Sequence, residues 1–304
     1  MSAPIGGQAV LEGVMMRGPS NWAVAVRKPD GQIAEVCRPI ESVMKRHWFF
    51  RLPIVRGVVA LGESLAIGFR ALSISANYAA ADDNELAEAE EQELSRAALI
   101  FAFLIAIGFA ISVFKVGPAL LADLLPISSG TWFVLVEGLI RVTVFVLYLF
   151  LISLLPDLRR VFQYHAAEHK TINAYEDGAE LVPERVQTYS KIHLRCGTAF
   201  LLWVMVIAIF VFAFVGRPDW PTLIASRILL LPVIAGLAYE VIRFGGKHPN
   251  NPIVRTLLTP GLWLQGLTTR EPTLDQVEVS IQALQDVLEA ERASGQASQV
   301  EVMA

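Results

Sequence analysis

Cysteine is nearly absent: 304 residues include two, Cys37 and Cys196, too few for a disulfide framework and fitting a reducing compartment. Charge is scarce as well, with Asp, Glu, Lys and Arg at 18% of the chain against about 25% in soluble domains. Neither sign dominates. Twenty-five basic and 29 acidic residues give a net charge of −4, so no global basic surface for nucleic acid is expected. The opening MSAPIGGQAVLEGVMMRGP has no basic start, and Glu12 and Arg17 interrupt the apolar core of roughly 7–15 residues that a secretory signal needs. Residues 1–97 are therefore expected to be a retained, non-translocated segment. No internal repeat is visible. Disorder, a coiled coil and a secreted disulfide scaffold are all excluded.

What the chain has in abundance is apolar sequence, 54% of residues with a mean hydropathy of +0.50. The expected class is mainly α, a polytopic membrane helical bundle with a small N-terminal cytosolic β-hairpin. A spanning helix needs about 20 mostly apolar residues. Four segments qualify: Ala98–Phe114, Trp132–Leu155, Gly197–Gly216 and Thr222–Ile242. Lys/Arg in the connections place both termini and the central loop on the cytoplasmic side. The 156–196 loop carries Arg159, Arg160, Lys170, Arg185, Lys191 and Arg195, whereas 123–131 carries none.

The expected organisation is as follows. Residues 1–51 are a cytosolic segment whose WAVAVRKPDGQIAEVCRPI reads as two strands about Pro29-Asp30-Gly31. Residues 52–97 hold an apolar helix and an acidic linker. In that helix Arg56, Glu63, Arg70 and Asn77 recur every seven positions as one stripe, read as an amphipathic helix on the membrane or bundle, or as a fifth, partly inserted helix. The acidic run 81–94 reads as a solvated linker. Residues 98–155 are spans one and two, 156–196 the cytoplasmic loop, and 197–243 spans three and four. Residues 244–304 carry a cytosolic helix opened by a capping box, Thr273-x-x-Gln276, with Val277, Ile281, Leu284 and Leu288 on one face, and then a disordered tail.

The strongest constellation is YHAAEHKTINAYE, Tyr164 to Glu176. His165 and His169, four apart, stack on one helix face, and at about 100° per residue Glu176 returns to within about 20° of it. Glu168 beside His169 completes H-x-x-E-H, the inverted zincin spacing, in which two His hold zinc and Glu activates water. Glu176 lies a rise of about 16 Å from His165, so it reaches the same ion only if the helix bends or ends early. His193 and Cys196 of HLRCG, at the same expected membrane face, are further ligand candidates; Cys196 alone also reads as a packed thiol. A divalent metal, zinc, is the expected cofactor, weighed against two histidines and a glutamate on an amphipathic helix by chance. His47 reads as an interfacial anchor beside Trp48, and His248 as a loop residue.

Inside the spans, Glu137 and Arg141 are spaced to pair, Glu240 has Arg243 one turn on, and Arg227 lies near the outer end, where it can snorkel. Each reads as a bundle ion pair or as part of a substrate or proton path. Glu240 is the best functional candidate of these, since its depth matches the metal level. The glycines of GGQAVLEGVMMRGP lack the Walker lysine and the Rossmann spacing and read as a tight, flexible loop.

Four ordered motifs, GGQAVLEGVMMRGP, YHAAEHKTINAYE, HLRCGTAFLL and PGLWLQGLTTREP, resemble the YqhQ-like family of bacterial membrane proteins over roughly residues 4–290. That family is described as proteins with a domain of unknown function and as predicted metal-dependent enzymes. The resemblance implies His165, Glu168, His169 and Glu176 as ligands, with His193 and Cys196 nearby. The chain departs from the family pattern at Asn173, where a second polar or basic residue is expected, and at Leu194, where proline is. Two functions stay open: a metal-dependent hydrolase at the cytoplasmic membrane face, with Glu168 catalytic, or a non-enzymatic scaffold in membrane-protein insertion or assembly with a structural metal or none. A transporter using Glu137, Arg141, Arg227 and Glu240 is weaker, for want of repeats. Membrane lipids are the expected partners, and location suggests a lipid-linked or membrane-protein substrate.

Overall fold

The computed structural model describes residues 4–80, 96–216, 219–248 and 251–295. Strands β1 (Gly6–Val10), β2 (Gly13–Arg17), β3 (Asn21–Arg27) and β4 (Ile33–Pro39) form an antiparallel sheet in that spatial order. Short 3-10 turns follow at Val43–Lys45 and Trp48–Arg51. The helices are α1 (Val55–Ala80), α2 (Arg96–Ile111), α3 (Gly117–Asp123), α4 (Gly130–Ile152), α5 (Pro156–Glu176), α6 (Pro183–Val186), α7 (Gly197–Val215), α8 (Trp220–Lys247), α9 (Pro252–Thr268) and α10 (Leu274–Ala293).

The expected hairpin is β3–β4, with Gly31 at φ +86° in its turn. The glycine-rich segment before it is not a loop but a second hairpin, β1–β2, turning at Glu12 with φ +53°. Its strands escape detection because the sheet is covered on both faces, so β2 shows no apolar alternation and all five of its residues are buried. On one face Val14, Met16, Ala23 and Ala25 meet Tyr164 and Ile172 of α5 and Val279, Leu284 and Val287 of α10. On the other, Val10, Met15, Trp22 and Val24 meet Ile67 and Ala71 of α1.

Among the described residues five helical segments are long and apolar enough to cross a membrane: Val55–Ala79, Leu104–Asp123, Gly130–Ile152, Gly197–Val215 and Ala225–Lys247. The addition to the expected four is α1. Its first turns lie against α8, where a Cβ on Gly57 would stand 2.7 Å from that of Tyr239, and its later turns lie on the sheet. The first half of its polar stripe has partners: Arg56 pairs with Glu240 at 2.6 Å, and Glu63 with Arg17 at 2.7 Å and Ser42 at 2.8 Å, while Arg70 is exposed. Leu65, Phe69 and Leu72 form an exposed apolar face. The first expected span does not stop at Lys115. A π turn at Ser112–Val116 carries the chain on to Asp123 and sets the Lys115 ammonium 5.4 Å over the Phe212 ring.

Within the bundle Glu137 and Arg141 pair as their spacing predicts. Arg227 does not snorkel outward; it stacks on Phe212 at 3.8 Å and approaches Glu137 at 3.9 Å. Glu240 is held chiefly by Arg56, with Arg243 at 3.7 Å. His47 caps the turn at Trp48–Arg51 by accepting from the Phe49 amide, and His248 caps the end of α8.

The capping box at Thr273 and Gln276 opens α10 as expected, and Val277, Ile281 and Leu284 are buried. The acidic run 81–94, and the expected tail from residue 296 on, lie outside the described residues. Asp286 on α10 is pushed up to about 6 by burial, with Glu35 and Glu289 adding to the rise. Because its folded value exceeds the ordinary 3.8, stability falls as pH rises from about 4 to about 6. Asp286→Asn is accordingly expected to raise the thermal midpoint at pH 7.5 and leave it unchanged near pH 4. A midpoint equally raised at both values would contradict this.

Candidate metal centre

Helix α5 starts at Pro156, whose fixed φ suits a first helical position, and carries Asp157 in its first turn. Its composition is polar, yet ten of its 21 residues are buried, because the sheet and α10 cover one side and the 187–192 segment and the start of α7 close the other. The small residues Ala167 and Ala174 let it approach Val277 and Ile281 of α10. The H-x-x-E-H motif therefore lies inside a packed body, not on a solvated loop.

His165, His169 and Cys196 each offer one ligand atom, and the three atoms lie within 4.8 Å of one another. His165 Nδ1 faces the Thr268 carbonyl at 2.9 Å and His169 Nδ1 the Lys191 carbonyl at 2.7 Å. Each Nδ1 thus carries a proton, which leaves each Nε2 as the atom that would bind an ion, the arrangement backbone carbonyls give to metal-bound histidines. His165 Nε2 is 3.3 Å from Cys196 Sγ, while His169 Nε2 is buried with no hydrogen-bond partner among the described residues. An orphaned ring nitrogen grouped with a second imidazole and a thiol fits a zinc ion, whose N and S ligands at about 2.0–2.3 Å stand some 3.5 Å apart. Cys196 occupies the N-cap of α7.

With no ion between them, His165 and Cys196 stabilise each other as a charged pair. Burial opposes charge on His165, but Cys196 and Glu168 outweigh it and hold the imidazole up at about 9. Burial likewise pushes the Cys196 thiol up, and His169 and His165 overcome it, holding the thiol well below its ordinary value. Glu168 is 2% exposed; its burial raises it, and the two histidines only partly offset the rise.

Of the expected ligands, Glu176 and His193 stand aside. Glu176 turns to Arg195 and to His193 Nε2 at 3.5 Å. Despite burial, His193 and Arg195 hold its carboxyl down to about 2. The His193 ring is 5.8 Å from that of His169, centroid to centroid, and its main chain is clamped by Gln265 at 2.9 and 2.8 Å. Asn173 donates to the Ser190 and Ile192 carbonyls at 2.8 and 3.0 Å, and Lys170 to Gln187 at 2.6 Å. These bonds fix the segment that supplies the Lys191 carbonyl to His169, so the departure at Asn173 falls on a residue supporting the ligands. Glu137, Arg141 and Glu240 lie elsewhere in the bundle.

The three donors open onto a cavity of about 470 Å³, lined by Glu168, by Gly7, Gln8 and Arg17 of the sheet, by Leu61, Ser64 and Leu65 of α1, and by Thr198 and Leu201 of α7. Glu168 Oε1 is buried without a hydrogen-bond partner among the described residues. A Cβ on Gly7 would come within 2.7 Å of the Glu168 side chain, so glycine lets β1 lie directly against it. The Arg17 guanidinium is buried and bonded to Glu63 and Ser64, both at 2.7 Å. Burial lowers Arg17, and Glu63 works against that fall. Sequence reasoning missed Gly7 and Arg17, whose motif gave no sign of a strand, and it had no access to Thr268 and Lys191, which act through their carbonyls.

A family model described as "Protein of unknown function (DUF1385)" matches residues 52–290. The "Uncharacterized protein YqhQ" of Bacillus subtilis (strain 168) is 37% identical over 300 residues, covering 96% of this chain and 94% of that protein. No solved structure matches.

Proposed function

Because the chain belongs to the family described as "Protein of unknown function (DUF1385)", membership supplies no reaction, and we propose from the site that this is a metal-dependent membrane hydrolase holding one divalent ion, zinc, on His165, His169 and Cys196. The observation that carries this is the convergence of two carbonyl-oriented imidazoles and a thiol beside a carboxyl group in an open cavity. Three protein donors leave a fourth position free, which favours catalysis over a closed structural site. Zinc, when bound, supplies a Lewis acid that polarises the scissile group and eases deprotonation of water. Glu168 takes the proton from that water and delivers it to the leaving group. The Thr198 hydroxyl, 3.1 Å from Cys196 Sγ, and the main-chain N–H groups at the start of α7 would steady developing negative charge.

The site belongs to the cytoplasmic face on this reading. Supporting it are the basic residues of 156–196 and the packing of that segment with the sheet and α10 into one body. Cobalt substitution tests the ligand set. The cobalt-loaded chain is expected to show visible d–d bands and a near-ultraviolet thiolate-to-metal band, with Cys196→Ser abolishing the second and His193→Ala sparing both. A metal lost in His193→Ala would replace the open site by a closed one and favour the scaffold, and a thiolate band that persists in Cys196→Ser would put the metal on Cys37 and overturn the ligand set.

A further inference from the structure

Strand β1 ends the sheet, and among the described residues no strand pairs with its outer edge. Its side chains leave on both faces: Gly7 stands against Glu168 on the α5 side, and the Gln8 carboxamide packs on Gly68 on the α1 side. Gly7, Gln8 and Ala9 all line the cavity. A cavity touched by both faces of one strand runs along that strand's edge, and here the same cavity reaches His165, His169, Cys196 and Glu168. A free edge offers alternating N–H and C=O groups, which an extended polypeptide satisfies and an acyl chain does not.

We propose that the substrate is an extended peptide segment that adds as a further strand to the open edge of β1, making the protein a peptidase. This rests on the hydrolase reading and names its substrate class. The segment comes from the membrane border, because Leu65 and Leu201, 54% and 47% exposed, line the cavity from α1 and α7. Pairing with β1 lays the peptide carbonyl beside the three donors, with Glu168 within reach. Water adds its oxygen to the carbonyl carbon, and its proton passes through Glu168 to the amide nitrogen. The C–N bond breaks and the second water proton follows to the nitrogen, leaving a carboxylate and an ammonium, with water the sole co-reactant.

Two chelating probes of similar length separate peptide from lipid: an N-acylated tripeptide hydroxamate and octanoyl hydroxamate, each titrated into the zinc-loaded full chain in detergent. Two or three extra main-chain hydrogen bonds predict about tenfold tighter binding of the peptide, with slowed amide exchange over residues 6–10. Octanoyl hydroxamate binding as tightly or more tightly, or the peptide binding without slowed exchange there, would overturn the peptide inference and leave the hydrolase standing. A chain that takes up no zinc would overturn the hydrolase reading, and this one with it.

Discussion

Glu168→Gln is expected to slow hydrolysis of 4-nitrophenyl acetate by the zinc-loaded protein about 10²–10⁴-fold, the range for loss of one general base, with zinc content and thermal midpoint unchanged. The carboxamide keeps the shape of the side chain between β1 and α5 and cannot accept the proton. Glu168 stands outside the set of three donors, so the metal stays. The substitution also removes a carboxyl group that burial disfavours in its charged form, which argues against any loss of fold. An unchanged rate would make Glu168 a packing residue. A rate lost together with the zinc would make it a ligand, and the proton-transfer role would fall.

The legible parts of the fold were those where one period ruled. Gly197–Val215 is apolar on every side and was placed almost to the residue. The α10 helix announced itself by its capping box and a single apolar face. The illegible parts are those where tertiary contacts overrode the local signal. Strand β2 is buried on both faces and carries Arg17 in the middle of a protein layer, so its sequence looked like an interrupted apolar loop. Lys115 looked like the end of a span because its ring partner, Phe212, lies nearly a hundred positions away. Arg227 looked like a snorkelling residue for the same reason.

The candidate site divides along the same line. The helical spacing of four brought His165 and His169 together, and the expected convergence of a second segment brought in Cys196. The same reasoning kept Glu176 on condition that the helix bends or ends early, whereas α5 runs on to Glu176 itself. Arg195 and His193 take up that carboxylate instead. Main-chain carbonyls that set the imidazole tautomers leave no trace in residue types. The cavity along β1 depends on a sheet edge that emerges only once four strands are ordered.

Loss of the metal in His165→Ala/His169→Ala is the other large effect expected. The double variant leaves Cys196 as the sole member of the donor set, and a single thiolate holds zinc weakly. Metal binding and folding are coupled where ligands come from separate segments, here α5 and the N-cap of α7. The wild-type chain should therefore lose thermal stability on chelation, and the double variant should not respond.

The most direct test is the zinc content of the detergent-purified chain beside that double variant, by elemental mass spectrometry. The expected result is about one ion per wild-type chain and less than about a tenth in the variant, as a three-ligand site with one open position requires. Less than about a tenth of an ion in the wild-type chain, not restored by added zinc and equal to the variant, would contradict the metal centre, and a non-enzymatic scaffold would then be the better account.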